Sequence, residues 1–185
     1  YHNLGFAYQH LSQMDKALVS YDRALELVTD PAERIETLHS RSICLIGLGK
    51  IEEGFREYEI RNNERFRCYF HHMINAPRWH GEDVRGKKLL LVGEQGLGDE
   101  IMFSTILPDA YEAVGETGKL QICVDPRMIP LYQRSFPNAE VGTYDDRTLI
   151  DDNGNKALRL IPFASKENLP DYWAPMGSAL QYYRK

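Results

Sequence analysis

Apolar and small residues recur at helical spacing over the first third of the chain. Two such runs are separated at residues 11–13, and Asp30-Pro31 closes the pair because proline is tolerated at a helix start but not inside a helix. The pattern then returns 37 residues later: Tyr1, Tyr8, Leu11, Ala17, Leu18 and Tyr21 correspond to Leu38, Leu45, Leu48, Gly54, Phe55 and Tyr58. Residues 1–64 are therefore predicted to form two helical hairpins, in which Gly5, Ala17, Ala24 and Gly54 allow helices to approach closely.

A different pattern begins at Lys87, after a predicted connector over residues 65–86 whose Trp79 is expected to pack against the next domain. Short apolar runs at 88–92, 120–125 and 139–144 predict strands, and helical periodicity lies between them. Pro108 is expected to kink or split the first of these helices. Strand–helix alternation predicts a parallel βαβ domain over residues 87–185. The pairs Asp145-Asp146 and Asp151-Asp152 are interpreted as solvated turns.

Composition and charge argue against several functional classes, among them nucleic-acid-binding and membrane-spanning proteins. The chain has 185 residues and a formal net charge of −5, which predicts no nucleic-acid partner, and its apolar runs are too short to span a bilayer. Three widely spaced cysteines, Cys44, Cys68 and Cys123, indicate a reduced, cytoplasmic protein without a disulfide framework or zinc site. The chain begins at Tyr1, inside a repeat, so we expect it to be a piece of a longer protein.

The most informative stretch is GEQGLGDEIMF, residues 93–103, which places glycines and carboxylates between a predicted strand and a predicted helix. Gly93 and Gly98 have P-loop spacing, but Asp99-Glu100 replaces the required Lys-Ser/Thr. Ile101 stands where a dinucleotide-binding fingerprint needs its third glycine. No cofactor is therefore predicted, and the absence of a DxD motif and of partners for His71, His72 and His80 predicts no metal site.

Two interpretations of Asp99 remain open from the residues alone. As an N-cap, it would accept a backbone N–H and complement the helix dipole. As a general base in a cleft, it would take a proton from an acceptor hydroxyl. Gly96 and Gly98 are explained by tight turning, whereas Glu94 and Gln95 lack an obvious structural role and are candidates for ligand contact.

Three segments carry a resemblance to a known group of proteins: EGFREYEIR (53–61), PRWHGEDVRGKKLLLVGEQGLGDEIMF (77–103) and DYWAPMGSALQ (171–181). The chain resembles bacterial tetratricopeptide-repeat proteins fused to a GT-B glycosyltransferase domain, related to heptosyltransferases and O-GlcNAc transferases. In heptosyltransferase-like enzymes the Leu-Gly-Asp motif carries the proposed base, which implies Asp99 here, with Gly96 and Gly98 shaping the acceptor side. The arginine that often follows the motif is missing from Phe103-Ser104-Thr105-Ile106.

The resemblance implies tetratricopeptide hairpins followed by the Rossmann-like N-terminal half of a GT-B enzyme. The parent protein would move a sugar from a nucleotide-sugar to a hydroxyl on a protein or glycan, without a metal. The donor would bind on a second half that this chain lacks, so the chain alone is expected to be inactive. The alternative is a non-catalytic module whose repeats bind a partner protein or peptide, for which Asn3 and His10 are candidates, beside a degenerate α/β domain.

Overall fold

The computed structural model describes residues 1–66, 69–151 and 154–184. They divide into two compact units: the described residues up to Tyr69 together with Arg184, and those from Phe70 to Tyr183. The first unit consists of consecutive helices, each packed against the next along the chain. They are α1 (His2–His10), α2 (Met14–Leu27), α3 (Pro31–Gly47) and α4 (Ile51–Tyr58), followed by a 3-10 turn at Glu59–Asn62. The breaks between them fall at the positions that the repeat pattern predicts.

Small residues let these helices approach closely, as predicted. A Cβ atom on Gly5 would lie 2.7 Å from the ring of Tyr21, and one on Gly54 would lie 2.6 Å from Cγ1 of Ile46. Asp30 begins α3 as its N-cap, because its carboxylate accepts hydrogen bonds from two backbone N–H groups of the first turn, at 2.9 and 2.8 Å. Asp30 therefore marks the start of α3, and the two glycines permit the close α1–α2 and α3–α4 contacts.

The second unit contains two sheets and the remaining helices. Its strands are β1 (Phe70–Met73), β2 (Lys88–Val92), β3 (Lys119–Val124), β4 (Glu140–Thr143), β5 (Asp145–Asp151), β6 (Gly154–Leu160) and β7 (Tyr172–Pro175). Its helices are α5 (Leu97–Phe103), α6 (Leu107–Val114), α7 (Ile129–Ser135) and α8 (Met176–Tyr183). The chain thus combines a helical unit with an α/β unit.

A parallel sheet in the order β4-β3-β2-β7 forms the centre of the second unit. Leu89–Val92 of β2 are completely buried, as expected for a strand covered on both faces. Two successive crossovers add β3 and β4 on one side of β2, whereas β7 is added on the other side. This order matches strands 3-2-1-4 of a doubly wound sheet, in which ligands bind beyond the carboxyl ends of the strands where the winding reverses. Here that position lies between β2 and β7.

Pro108 splits the helical stretch after β2, as predicted. Helix α5 ends at Phe103, a 3-10 turn covers Ser104–Ile106, and α6 starts at Leu107 with the proline in its first turn. Proline is accepted there because the N–H groups of a helix's first turn have no intrahelical partner. The helix α5 is therefore short and directly continues the loop after β2.

A second sheet, in the order β1-β6-β5, corrects the interpretation of Asp145-Asp146 as a solvated turn. These residues begin β5 and pair with Leu160 and Arg159 of the antiparallel strand β6. Asp151 ends β5, and Asp152 lies outside the described residues. Strand β1 pairs in parallel with β6 and falls inside the segment predicted as a connector.

Trp79 is buried, and its backbone N–H donates to the carbonyl of Trp173 in β7 at 2.7 Å. The indole packs against Tyr182 and Tyr183 of α8, which confirms its predicted anchoring role. Cys44 and Cys123 are buried free thiols, and Cys68 lies outside the described residues. Over the described part of the chain, no helix is both long and apolar enough to cross a bilayer.

Candidate functional site

The segment from Gly93 to Asp99 joins the end of β2 to the first turn of α5, and we call it the glycine loop. Its start is tied to the sheet because Gly93 N–H donates to the carbonyl of Cys123 in β3, at 2.6 Å. Gln95 is exposed and has φ of +63°, a left-handed conformation that is uncommon outside glycine. Gly96 is the N-cap of α5. The loop therefore turns at Gln95 and lies at the carboxyl end of β2.

The glycines of this loop differ in what surrounds them. A Cβ atom on Gly93 would lie 2.4 Å from Oε1 of Glu100, so that position has no room for a side chain. Gly96 has extended backbone angles, and Gly98 lies within the first turn of α5 without a positive φ. A Cβ on Gly98 would have no neighbour within 4 Å. The prediction that Gly96 and Gly98 are needed for tight turning is wrong, because Gln95 makes the turn.

Asp99 is half-buried and occupies the third position of α5, rather than the N-cap. Its Oδ2 accepts a hydrogen bond from Gly96 N–H at 3.3 Å, so the carboxylate supports the helix start from within the first turn. A carboxylate has two oxygens and about four acceptor sites. Among the described residues the Asp99 carboxylate accepts this one bond, which leaves Oδ1 available to a ligand hydroxyl.

Glu94 is buried and has a structural role that its loop position did not suggest. Its Oε1 accepts a hydrogen bond from Gly177 N–H in the first turn of α8, at 2.7 Å. A carboxylate there also complements the positive end of the helix dipole. Glu94 thus joins the loop after β2 to the helix after β7, at the reversal point of the sheet. Contact of Glu94 and Gln95 with an acceptor stays a prediction.

A buried carboxylate lies directly beneath the glycine loop. Glu100 has no exposed surface, and its side chain accepts hydrogen bonds from Tyr144 Oη at 2.8 Å and from Asp125 N–H at 3.1 Å. Burial raises the pKa of Glu100, and the bonds from Tyr144 and Asp125 only partly oppose that shift. The backbone carbonyl of the same residue accepts from Tyr132 Oη at 2.8 Å. Hydrogen bonds therefore fix both the side chain and the backbone of Glu100.

Arg159 of β6 is the second buried charge beneath the loop, only 1% exposed. Its guanidinium binds both carboxylate oxygens of Asp146, at 2.7 and 2.6 Å, and donates to the carbonyl of Gly93. Burial disfavours the charged form, yet the bonds to Asp146 raise the pKa of Arg159. The guanidinium also lies 3.6 Å from the centre of the Tyr144 ring. Sequence reasoning did not identify Arg159, Tyr144 or Glu100.

His72 of β1 lies opposite Arg159 in the sheet register. Burial, reinforced by Arg159 and Arg78, lowers the pKa of His72 to about 3, so the imidazole is neutral. Its Nε2 is enclosed without a hydrogen-bond partner among the described residues. No cluster of three or more His, Cys, Asp or Glu side chains suited to a metal is present in residues 1–66, 69–151 and 154–184.

The helical unit carries a groove of about 570 Å³ between the start of α1, the end of α2 and the start of α3. Asn3 lines it together with Glu33 and Glu36, and Leu27 and Val28 supply apolar surface. His10 instead packs edge-to-face against Phe6. Of the two positions considered for a ligand on the repeats, the structure places Asn3 in a groove.

Comparison with known proteins finds a protein with a similar sequence. The chain is 35% identical over 184 residues to Protein FlbA of Caulobacter vibrioides, and the alignment covers the whole of this chain. It covers 30% of that protein, so the chain spans about a third of the length of this relative. No protein-family model and no solved structure matches the chain.

Proposed function

We propose that this chain combines tetratricopeptide hairpins with the Rossmann-like N-terminal half of a GT-B glycosyltransferase. The parent protein transfers a sugar from a nucleotide-sugar donor to a hydroxyl of a protein or glycan acceptor. The strand order β4-β3-β2-β7 supports this, since it matches strands 3-2-1-4 of a doubly wound sheet. The glycine loop begins at the carboxyl end of β2, beside the point where that winding reverses.

The open space at Gly98 is the observation that carries the proposal. Glycine within a helix costs about 0.5–1 kcal/mol relative to alanine, and here neither a positive φ nor a packed neighbour requires it. A surface left open beside a half-exposed carboxylate suits a substrate that approaches the backbone closely. Asp99 then acts as general base on the acceptor hydroxyl, with Gly96 and Gly98 giving access.

The negative charge of the glycine loop supports an acceptor site on this chain and a donor site on the second GT-B half. Asp99 and Glu94 would repel a donor's phosphate groups, whereas an acceptor hydroxyl needs a proton acceptor. Phosphates of the nucleotide-sugar are expected on the second GT-B half, at a helix N-terminus with basic side chains. Because general-base catalysis typically contributes 10²–10⁴-fold, removal of the base from the full-length protein should lower turnover by about that factor.

Radiolabelled sugar transfer by the full-length protein and by its Asp99→Asn variant tests the proposal. Asparagine keeps the side-chain oxygen that accepts from Gly96 N–H, so folding should survive while kcat falls by about 10²–10⁴-fold. Glu116→Gln, on an exposed side chain, is the matched control and should retain activity. Unchanged transfer by Asp99→Asn would eliminate the base role. Turnover by residues 1–185 alone would refute the assignment of the donor to a second half.

The groove on the helical unit favours a second candidate, a non-catalytic module in which the repeats bind a partner peptide. Glu33 and Glu36 line that groove, so a basic segment is the complementary partner. This candidate predicts that Asp99→Asn changes stability at most, and that the full-length protein transfers no sugar from any nucleotide-sugar. Titration of nucleotide-sugars into the 185-residue chain should show no heat of binding under either candidate.

A further inference from the structure

Both ends of the glycine loop are held by residues that lie far from it in sequence. At the first end, Arg159 donates to the carbonyl of Gly93. At the second end, Tyr144 donates to the carboxylate of Glu100 at 2.8 Å. Tyr144 directly precedes β5, and Arg159 lies in β6, the strand paired with β5. One β-hairpin therefore supplies both attachments.

The two attachments are parts of one packed assembly. The guanidinium of Arg159 stacks 3.6 Å from the ring centre of Tyr144 and 4.5 Å from that of Phe70. Asp146 binds the same guanidinium through both carboxylate oxygens. With Arg159 and Glu100 fully or almost fully buried, loss of either hydrogen bond would leave a buried polar group without its partner, which is costly.

The attachment at Glu100 fixes the direction of its neighbour. Successive helix residues are rotated by about 100° around the axis, so a Glu100 side chain held inward determines where Asp99 points. Tyr132 holds the Glu100 carbonyl at 2.8 Å as well, which limits rotation of the first turn of α5. The Asp99 carboxylate makes only a 3.3 Å bond to Gly96 N–H, too weak to define its direction by itself.

We infer that Tyr144 and Arg159 are positioning residues, which hold the glycine loop through Glu100 and Gly93 and thereby aim Asp99 at the acceptor side. The part concerning the acceptor rests on the proposed function. The part concerning the direction of Asp99 is a statement about this chain and can be tested without any substrate. Neither residue is assigned contact with substrate.

Amide signals of the 185-residue chain in two-dimensional NMR provide the substrate-free test. Tyr144→Phe removes one hydroxyl and keeps the ring that stacks on Arg159, and it should shift the signals of Gly96, Leu97, Gly98 and Asp99. Glu100→Gln should shift them less than Tyr144→Phe does, because an amide oxygen in the place of Oε1 still accepts from Tyr144 and from Asp125 N–H. Tyr111→Phe, on a side chain 42% exposed, is the matched control and should shift none of them.

Unchanged loop signals in Tyr144→Phe, with or without a lower melting temperature, would overturn the inference and leave only a packing role. Asp146→Asn is the second variant, should Tyr144→Phe lose its fold. It loosens the hold on Arg159, and it should shift the Gly93 and Glu94 signals. Undisturbed signals there would equally count against the inference.

Kinetics of the full-length protein provide the functional test. A displacement of about 1 Å at a catalytic group can cost up to 10²-fold, so Tyr144→Phe should lower kcat by about tenfold. The nucleotide-sugar KM should stay unchanged, because the donor binds elsewhere. A wild-type protein that transfers no sugar would refute the proposed function, whereas the amide signals would still decide the positioning role.

Discussion

Gly5 and Gly54 of the helical unit and Gly96 and Gly98 of the glycine loop have opposite surroundings. In the helical unit, Cβ atoms on Gly5 and Gly54 would lie within 2.7 Å of a neighbouring side chain. In the glycine loop, a Cβ on Gly96 would lie 3.7 Å from Asp99, and one on Gly98 would have no neighbour within 4 Å. The first pair exists because two helices touch there. The second pair has no such reason, and this separates a packing feature from a candidate binding surface.

Gly93 shows that the distinction also holds within one loop. It lies three residues before Gly96, yet a Cβ there would collide with the carboxylate of Glu100. Gly93 thus belongs to the packed class, although its sequence position suggests the open class. A glycine's role is therefore decided by what surrounds its missing side chain, which the spacing of glycines along the sequence does not show.

The largest expected effect is the loss of stability on filling a packed glycine. In Gly54→Ala the new methyl group would lie 2.6 Å from Ile46 Cγ1 and 2.9 Å from Ile46 N, so backbone as well as side chain must move. We expect the free energy of unfolding to fall by about 3 kcal/mol, the upper part of the range for overpacking. Urea unfolding followed by circular dichroism measures this.

Gly47→Ala is the control in the same unit, because its nearest neighbour, Met14, would lie at an ordinary contact distance of 3.6 Å. It should leave stability within about 1 kcal/mol of wild type. Equal losses for the two variants would show that the close approach at Gly54 is not what stabilises the α3–α4 contact.

A smaller effect on stability is expected from Glu100, the buried carboxylate that leaves no room for a side chain at Gly93. Burial disfavours the charged form of Glu100 and raises its pKa on folding. Wild-type stability should therefore fall as pH rises from the unfolded value of about 4.3 through the raised folded value. Glu100→Gln lacks this titration and should melt above wild type at pH 8.

At a pH below about 3, where the acid is protonated in both states, Glu100→Gln and wild type should melt alike. Differential scanning calorimetry across this range measures the difference. Glu116→Gln, at an exposed site, should keep the wild-type pH profile. A Glu100→Gln variant that is less stable than wild type at pH 8 would show that the charge of Glu100 is net stabilising.

Sequence patterns predicted those elements whose signals are local. Helices α1 to α4 and strands β2, β3 and β4 follow from short-range periodicity, and the split at Pro108 follows from the covalent geometry of proline. Strands β5 and β6 were missed, because Asp145-Asp146 and Asp151-Asp152 resemble turn sequences.

The residues of the candidate site likewise fall into two groups, those that the sequence could predict and those that it could not. Asp99, Gly96 and Gly98 could be named from the sequence, because they lie together in one loop. The buried partners of that loop could not: Arg159 is 66 residues from Gly93, and Tyr144 is 44 residues from Glu100. Only the pairing of distant strands brings these residues together. The structural role of Glu94 depends on α8, 83 residues away, and was missed for the same reason.

The smallest expected change in stability, and the sharpest test of the comparison, is Gly98→Ala. Nothing within 4 Å opposes the methyl group, and the backbone is helical, so the free energy of unfolding should rise by about 0.5–1 kcal/mol. Gly49→Ala is the matched control. That site is equally open but has φ of +77°, so alanine there should lower stability by about 1 kcal/mol. If the open surface admits an acceptor, Gly98→Ala will raise the acceptor KM of the full-length protein although the fold is more stable. Simultaneous gain of stability and full activity would show that the space above Gly98 serves no ligand.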